Sequence, residues 1–377
     1  MRQALKVSVL CVIVVFLIAT FSMVSCKAAV TETTSAATTA AVETTAAPAE
    51  TTAAPAKIKV GLSNGAFTHS WRVQMIEQFQ SDCKKLQQDG VVSDYVVQNA
   101  GEDVNTQIAQ IRNMVSSGVN LLLVCPNSST ALNPVIEEAQ AAGVLVIVYD
   151  MNVDNAPNII NVYMDQGLWM PPLVDWLAAQ LGEKGKIVYI EGIADQPGNI
   201  LRNEAGMKAL EKYPDIELVA QAPGKWDQAA AQQAMADLLA SVPQIDGVLT
   251  QDGMTLGIIR AFEAAGKPLP PITGETQVAF IKQWKKMKDE SGFQSFGVGN
   301  PPPFGVNASL RMGIKILNGE KLNETVFVND HDIYLAPSLF VDNNSIDTVY
   351  EEYKDWADAY YVPGYLSDED LNSFFAK

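Results

Sequence analysis

Side chains suited to gripping a hydroxylated ligand stand just past the ends of short apolar runs along this chain. After residues 57–63 come Asn64, His69, Trp71 and Arg72; after 120–126 comes Asn127; and the run 144–149 ends at Asp150. Further on, Arg202 follows 186–192, Trp226 follows 216–222, Gln251 and Asp252 follow 246–250, Glu275 follows the turn at 270–274, and Asn300 closes 294–299. An indole covers the C–H face of a sugar ring by apolar contact, while carboxylate, amide and guanidinium groups each engage two neighbouring hydroxyls. Each residue also has a plainer reading. Asn127 and Asp252 could cap the helices after them, Arg72 could be a solvated helix charge, and Trp71 and Trp226 could belong to the core.

Catalytic chemistry has little to work with. The only histidines are His69 and His331, and Cys-x-x-Cys, His-Glu-x-x-His, Gly-x-Ser-x-Gly and Gly-x4-Gly-Lys-Ser/Thr are all lacking from the sequence. No catalytic residue, metal or cofactor is therefore expected. The chain carries 26 Lys+Arg against 43 Asp+Glu, a net charge of −17. Such a surface repels nucleic acid and anionic lipid, so no nucleic-acid partner is expected.

The elements that must position these residues follow from periodicity. Apolar spacing alternates between strand-like and helix-like with short turns, which signals βα units around parallel sheets. Strands are predicted over 57–63, 94–100, 120–126 and 144–150, with helices over 71–90, 105–118 and 134–143 between them. A second set has strands over 186–192, 216–222, 246–251 and 294–300, and helices over 200–213, 229–242, 256–266 and 278–290. The fold class is thus α/β, two doubly wound parallel-sheet domains in series, with ligand residues at the strand ends where open α/β sheets place their sites. Cys83 lies in an apolar helical stripe and Cys125 ends a buried strand, so two buried free thiols are expected.

The start of the chain reads differently. Arg2 and Lys6 lead into an apolar run at 9–20, the layout of a secretory signal, and that run falls short of the roughly 20 residues needed to cross a bilayer. Met23-Val24-Ser25-Cys26 resembles a bacterial lipobox, with Met23 where Leu is usual, which implies cleavage after residue 25 and a lipid on Cys26. Residues 26–56 are mostly Thr, Ala, Pro and Glu and repeat TTAAPA, a tether with no apolar face from which to build a core. About 320 residues remain, the right length for two domains.

At the strand-end residues, and in the stretches 126–150 and 249–267, the chain resembles the type I periplasmic sugar-binding proteins, the ribose and galactose type, of ABC importers. The resemblance covers about residues 57–335. It implies a lipoprotein that works outside the cytoplasm as a monomer, a sugar or polyol held in an interdomain cleft, and ABC permease subunits as partners. Docking on a receptor or histidine kinase is the alternative. The family's stacking aromatic falls on Trp71, its sugar carboxylate on Asp150, its C-domain arginine on Arg202 and its second aromatic on Trp226. Its polar loop residues fall on Gln251 or Asp252, Glu275 and Asn300. Two departures point away from ribose itself: Met151 stands where many members have Arg, and Arg72 where ribose binders have an aromatic. Three hinge crossovers are expected, near 165, 300–303 and 329–331. That divides the folded part into 57–165 plus about 301–330, and 166–300 plus about 331–377. Residues 337–377, which lie beyond the resemblance, are expected to pack on the C-terminal domain.

Overall fold

Leu121–Cys125 reads Leu-Leu-Leu-Val-Cys and is buried at every position. A strand without a polar face suits a parallel sheet covered by helices on both sides, and the computed structural model has it there. The structure describes residues 57–65, 70–154 and 158–376. The signal, Cys26 and the tether lie outside these residues, as does His69. No helix among the described residues is long and apolar enough to cross a membrane.

The first half alternates β1 (Ile58–Asn64), α1 (Ser70–Gln88), β2 (Val92–Asn99), α2 (Val104–Ser116), β3 (Leu121–Cys125), α3 (Asn133–Ala141), β4 (Leu145–Tyr149) and β5 (Ile160–Met164). α4 (Pro171–Leu181) leads into a second alternation, β6 (Gly185–Glu191), α5 (Pro197–Leu210), β7 (Ile216–Pro223), α6 (Gln228–Ser241), β8 (Gly247–Thr250), α7 (Thr255–Ala265), α8 (Val278–Ser291) and β9 (Gly297–Val298). The chain ends with α9 (Pro303–Leu317), β10 (Asp332–Leu335), β11 (Phe340–Val341), α10 (Ile346–Tyr353) and α11 (Asp368–Ser373).

One sheet has six parallel strands in the order β10-β5-β4-β3-β1-β2. The other is built on β7-β6-β8 and is carried outward by parallel bridges Val248↔Ile272 and Gly274↔Gly297, with β11 antiparallel to β9 at its far side. Each sheet has its helices on both faces. On the first, α2 and α3 close one side around Ile111, Leu122 and Ile136. α1 and α9 close the other, where Gly313 lets α9 approach so near that a Cβ would stand 2.4 Å from Leu121. That second cluster runs on without a break through Trp169 and Leu173 to the second sheet. Cys83 and Cys125 are both buried free thiols.

Seven elements escape the sequence reading: β5, β10, α4 and α9, and at the end of the chain β11, α10 and α11. β5 and β10 pair with each other, so the chain stays in the first sheet until Leu335 and crosses after it, not at 329–331. The reason is a buried polar pair, Asn161 Nδ2 donating to Asp332 Oδ1 at 2.8 Å, which spoils the apolar signature of both strands. α4 and α9 each open on proline in the first turn, where its fixed φ and missing N–H suit a helix start, and prolines 301–303 had suggested only a stiff connection.

The end of the chain also departs from expectation. α10 packs on α8 in the second half, as expected. Beyond it, Leu366, Leu371 and Phe375 join the first-half core, and Phe375 bridges to Leu322. Residues 337–377 therefore divide between the two domains, because their apolar side chains find core positions on both.

Candidate functional site

β1 and β4 deliver one group of side chains. Asn64 ends β1, buried, with its Nδ2 donating to Asn99 Oδ1 at 3.0 Å. The α1 helix starts at Ser70, so Arg72 lies in its first turn and points inward, only 7 % exposed. Its guanidinium pairs with Asp150 directly after β4, and its Cζ stands 5.0 Å over the Trp71 ring. Asp150 takes φ +65°, the left-handed region that Asp tolerates better than most residues. Burial alone would lower the Arg72 pKa, but the Asp150 carboxylate paired with it holds it above its ordinary value, so the cation persists. Cys125 is a thiol, since burial pushes it up to about 12. Asn127 accompanies this group: its backbone N–H donates to Gln107 at 2.9 Å, and its Oδ1 crowds Gly65 so closely that a Cβ there would stand 2.2 Å away.

The second group is a network around Arg202, which is 3 % exposed and lies in α5. Its Nε donates to Gln166 Oε1 at 2.7 Å, its Nη1 to Asp252 Oδ2 at 2.8 Å, and its guanidinium stacks 4.2 Å over Trp169. Gln251 joins it to Trp226: Trp226 Nε1 donates to Gln251 Oε1 at 2.9 Å, while Gln251 Nε2 donates to Asn199 Oδ1 at 2.9 Å and to the Tyr189 hydroxyl. Trp226 itself has φ +54°. Glu275 is fully buried beside Asp252. Burial first, and the neighbouring Asp252 carboxylate second, push its carboxyl up to about 8. Burial also raises Asp252, against the pull of Arg202.

The structure thus gathers Asn64, Trp71, Arg72, Asn127 and Asp150 at the first sheet, and Arg202, Trp226, Gln251, Asp252 and Glu275 at the second. Two links join the halves here. Trp71 Nε1 donates to the Asn300 carbonyl at 2.8 Å, so it is the Asn300 main chain that makes this bond. Gln166, just after β5, accepts from Arg202. The plainer readings fail for several residues: α3 and α7 have Leu132 and Met254 at their N-caps with no side-chain bond, so neither Asn127 nor Asp252 caps a helix. Arg72 is no solvated charge. The sequence reading missed Gln166, Trp169, Tyr189, Asn199 and Asn203, which surround Arg202 and Gln251. Their only early signal was an unusual density of amides at a strand end.

Five buried polar atoms in and around these groups have no hydrogen-bond partner among the described residues: Asn127 Nδ2, Asp252 Oδ1 and Glu275 Oε1, with Tyr149 Oη and Trp169 Nε1 beside them. A donor and two carboxyl oxygens left over in buried positions are costly unless something polar meets them. A small cavity of about 10 Å³ borders Trp71, Asp150 and Asn300. A larger one, about 410 Å³, lies away from these groups, between α1 and residues 356–365.

Known proteins place this architecture. The profile of the periplasmic binding protein domain matches residues 60–321. The chain is 32% identical over 178 residues to a xylitol-binding protein of Mycolicibacterium smegmatis, a match covering 47% of this chain and 51% of that protein; it thus spans about half the length of that relative. It is 26% identical over 212 residues to the ribose import binding protein of Escherichia coli, covering 56% of this chain and 70% of the relative. Among solved structures, an ABC transporter solute binding protein of Thermobispora bispora superposes with a TM-score of 0.66 at 29% identity, over 84% of this chain and 94% of that one. With two wound parallel sheets joined by crossovers and a family match over most of its folded length, the chain belongs to the periplasmic binding protein domain family.

Proposed function

We propose that this protein is an extracytoplasmic solute-binding lipoprotein that captures a sugar or polyol between its two domains and hands it to an ABC importer, without catalysis. The observation that carries the reading is the leftover polar set. Asp252 Oδ1 stands beside a fixed Arg202, Glu275 Oε1 next to Asp252, and Asn127 Nδ2 at the other sheet. Hydroxyls both donate and accept, so one polyhydroxylated ligand answers carboxyl oxygens and an amide donor together. Trp71 and Trp226 supply apolar faces for its C–H groups. The ligand residues would be Asn64, Trp71, Arg72, Asn127, Asp150, Arg202, Trp226, Gln251, Asp252, Glu275 and Asn300, with His69 outside the described residues. Because they come from both sheets, ligand would favour the closed arrangement over an open one and draw the equilibrium toward it.

The xylitol-binding and ribose-binding relatives support this class of ligand. Arg72 stands paired with Asp150, and a charged pair in that place favours a flexible polyol over ribose, since the guanidinium reaches several hydroxyls of an extended chain. A thermal-shift panel of pentoses, hexoses, polyols, amino acids and nucleosides tests it. Saturation at 100 times the dissociation constant should add about 2.7 kcal/mol of stability, with polyols and sugars giving the shift. Amino acids shifting the melt while no sugar or polyol does would end this reading.

Attachment to the membrane is a separate prediction. Cys26→Ala should leave the melting temperature of the folded part unchanged and move the protein from the membrane fraction to the soluble one. Retention in the membrane fraction with the signal removed would refute the lipid anchor.

A further inference from the structure

The segment between α10 and α11 lies beyond the family match, which ends at residue 321. It is bonded to both domains. On the second domain, the Val278 N–H donates to the Tyr360 carbonyl at 2.7 Å, Ala279 to Asp358 at 3.1 Å, and Val362 donates to Thr276 at 2.8 Å. Lys282 adds bonds to the Trp356 carbonyl at 2.9 Å and Asp358 at 2.7 Å. On the first domain, one fully buried amide of α1 grips the main chain of Tyr361 from both sides: Gln74 Oε1 accepts its N–H at 2.7 Å and Gln74 Nε2 donates to its carbonyl at 2.6 Å. Tyr360 and Tyr365 then donate to Glu77 at 2.5 Å and Gln78 at 2.6 Å. Further along, Arg311 of α9 donates to the Leu366 carbonyl at 2.6 Å.

The same residue reaches the candidate site. The Tyr361 side chain is 8 % exposed, and its hydroxyl lies against Gly253, where a Cβ would stand 3.3 Å from it. Gly253 has φ +69°, Asp252 precedes it, and Asp252 and Glu275 both lie close to Tyr361, so the three residues are neighbours. Burial, with Glu275 and Asp252 close by, keeps the phenol a neutral hydroxyl.

We propose that residues 356–366 are a latch between the two domains, closed by the Gln74 grip on Tyr361, and that Tyr361 is a further ligand-site residue delivered by this latch. The latch rests on the two-domain clamp reading. The main-chain bonds to 276–279 tie it to the second domain, whereas every bond to α1 goes through a side chain. When the domains part, residues 356–362 therefore stay with the second domain while Leu366, bonded to Arg311, stays with the first, and the Gln74 contact breaks. Opening then withdraws Tyr361 from α1 as a step of the same movement that exposes Asp252 and Glu275.

The test uses the full mature chain without ligand. Gln74→Ala should raise the radius of gyration in small-angle scattering and speed amide exchange at Tyr361 at least tenfold, while Val362, bonded to Thr276 of the second domain, keeps its protection. A second variant, Tyr360→Phe with Tyr365→Phe, removes only rim hydroxyls, keeps the fold, and should move both readouts in the same direction by less. Should Gln74→Ala fail to fold, the tyrosine pair decides. Unchanged scattering with unchanged exchange at Tyr361 overturns the latch. Tyr361→Phe, assayed with xylitol as probe, should weaken binding about tenfold with the radius unchanged, and wild-type affinity would remove Tyr361 from the site. If no sugar or polyol binds the wild type, while Gln74→Ala still opens it, the ligand class falls and the latch stands.

Discussion

Asp150→Ala is expected to cost about 3–5 kcal/mol of folding stability, the usual penalty for removing one member of a buried ion pair. Arg72 is 7 % exposed, and after the substitution its remaining polar neighbours are the weak acceptor Met75 Sδ at 3.6 Å and the uncharged Cys125 thiol and Tyr149 phenol. A guanidinium does not shed its proton, so it stays charged and unpaired. The backbone adds to the loss, because φ at 150 is +65° and alanine is poorer than aspartate there. Two further variants separate these causes. Asp150→Asn keeps the tolerance for that φ and one acceptor but not the charge, and should lose less. Arg72→Met combined with Asp150→Asn removes the stranded cation and should recover much of the loss. Urea unfolding of the three variants reads all of this. A loss below about 1 kcal/mol in Asp150→Ala would show that Arg72 reaches solvent after all. Ligand affinity should fall too, since Asp150 is among the proposed ligand residues, and the double variant should not restore it.

What could be read from the sequence was whatever depends on short-range pattern. β1 through β4 and β6 through β8 show as apolar runs, and the strand ends place Asp150, Asp252 and Glu275 at sheet edges without any knowledge of pairing. β5 and β10 were hidden because their stability comes from one another: Asn161 and Asp332 look like loop residues until they are seen bonded, 171 positions apart in sequence. α9 was hidden by its own start signal, three successive prolines. In the site, the residue types were legible but their state was not. Arg72 looked like either a ligand group or a surface charge, and only the fold shows it buried on Asp150. The amides around Arg202 come from α5, from the crossover at Gln166 and from β8's end, a convergence with no local sequence signature. Tyr361 was least legible of all, since its place beside Gly253 depends on the chain returning across both domains.

Glu275→Gln should reshape the dependence of stability on pH. The Glu275 carboxyl is fully buried and is held up at about 8, by burial first and by Asp252 second. In the unfolded chain it would titrate near 4.3. Between those values the native state keeps a proton that the unfolded state has released, so unfolding releases a proton and stability falls as pH rises. The effect is absent below about pH 4, grows through neutrality and levels off above about pH 8, reaching on the order of 5 kcal/mol in full. Glutamine has no proton to lose, and its carbonyl can still accept the Gln277 N–H that Glu275 Oε2 accepts at 3.0 Å. The variant should therefore match the wild type near pH 5 and exceed it by a few kcal/mol near pH 9. Asp252 keeps a slope of the same sign in both proteins, because burial raises it against the pull of Arg202. Chemical unfolding at pH 5, 7 and 9 makes the comparison, and parallel profiles for the two proteins would show that Glu275 ionises freely in the folded state. At neutral pH the protonated carboxyl donates as well as accepts, so a ligand hydroxyl can accept from Glu275 while another donates to Asp252. Ligand affinity in the wild type should accordingly weaken above about pH 8, where that donor is lost and two neighbouring carboxylates face each other.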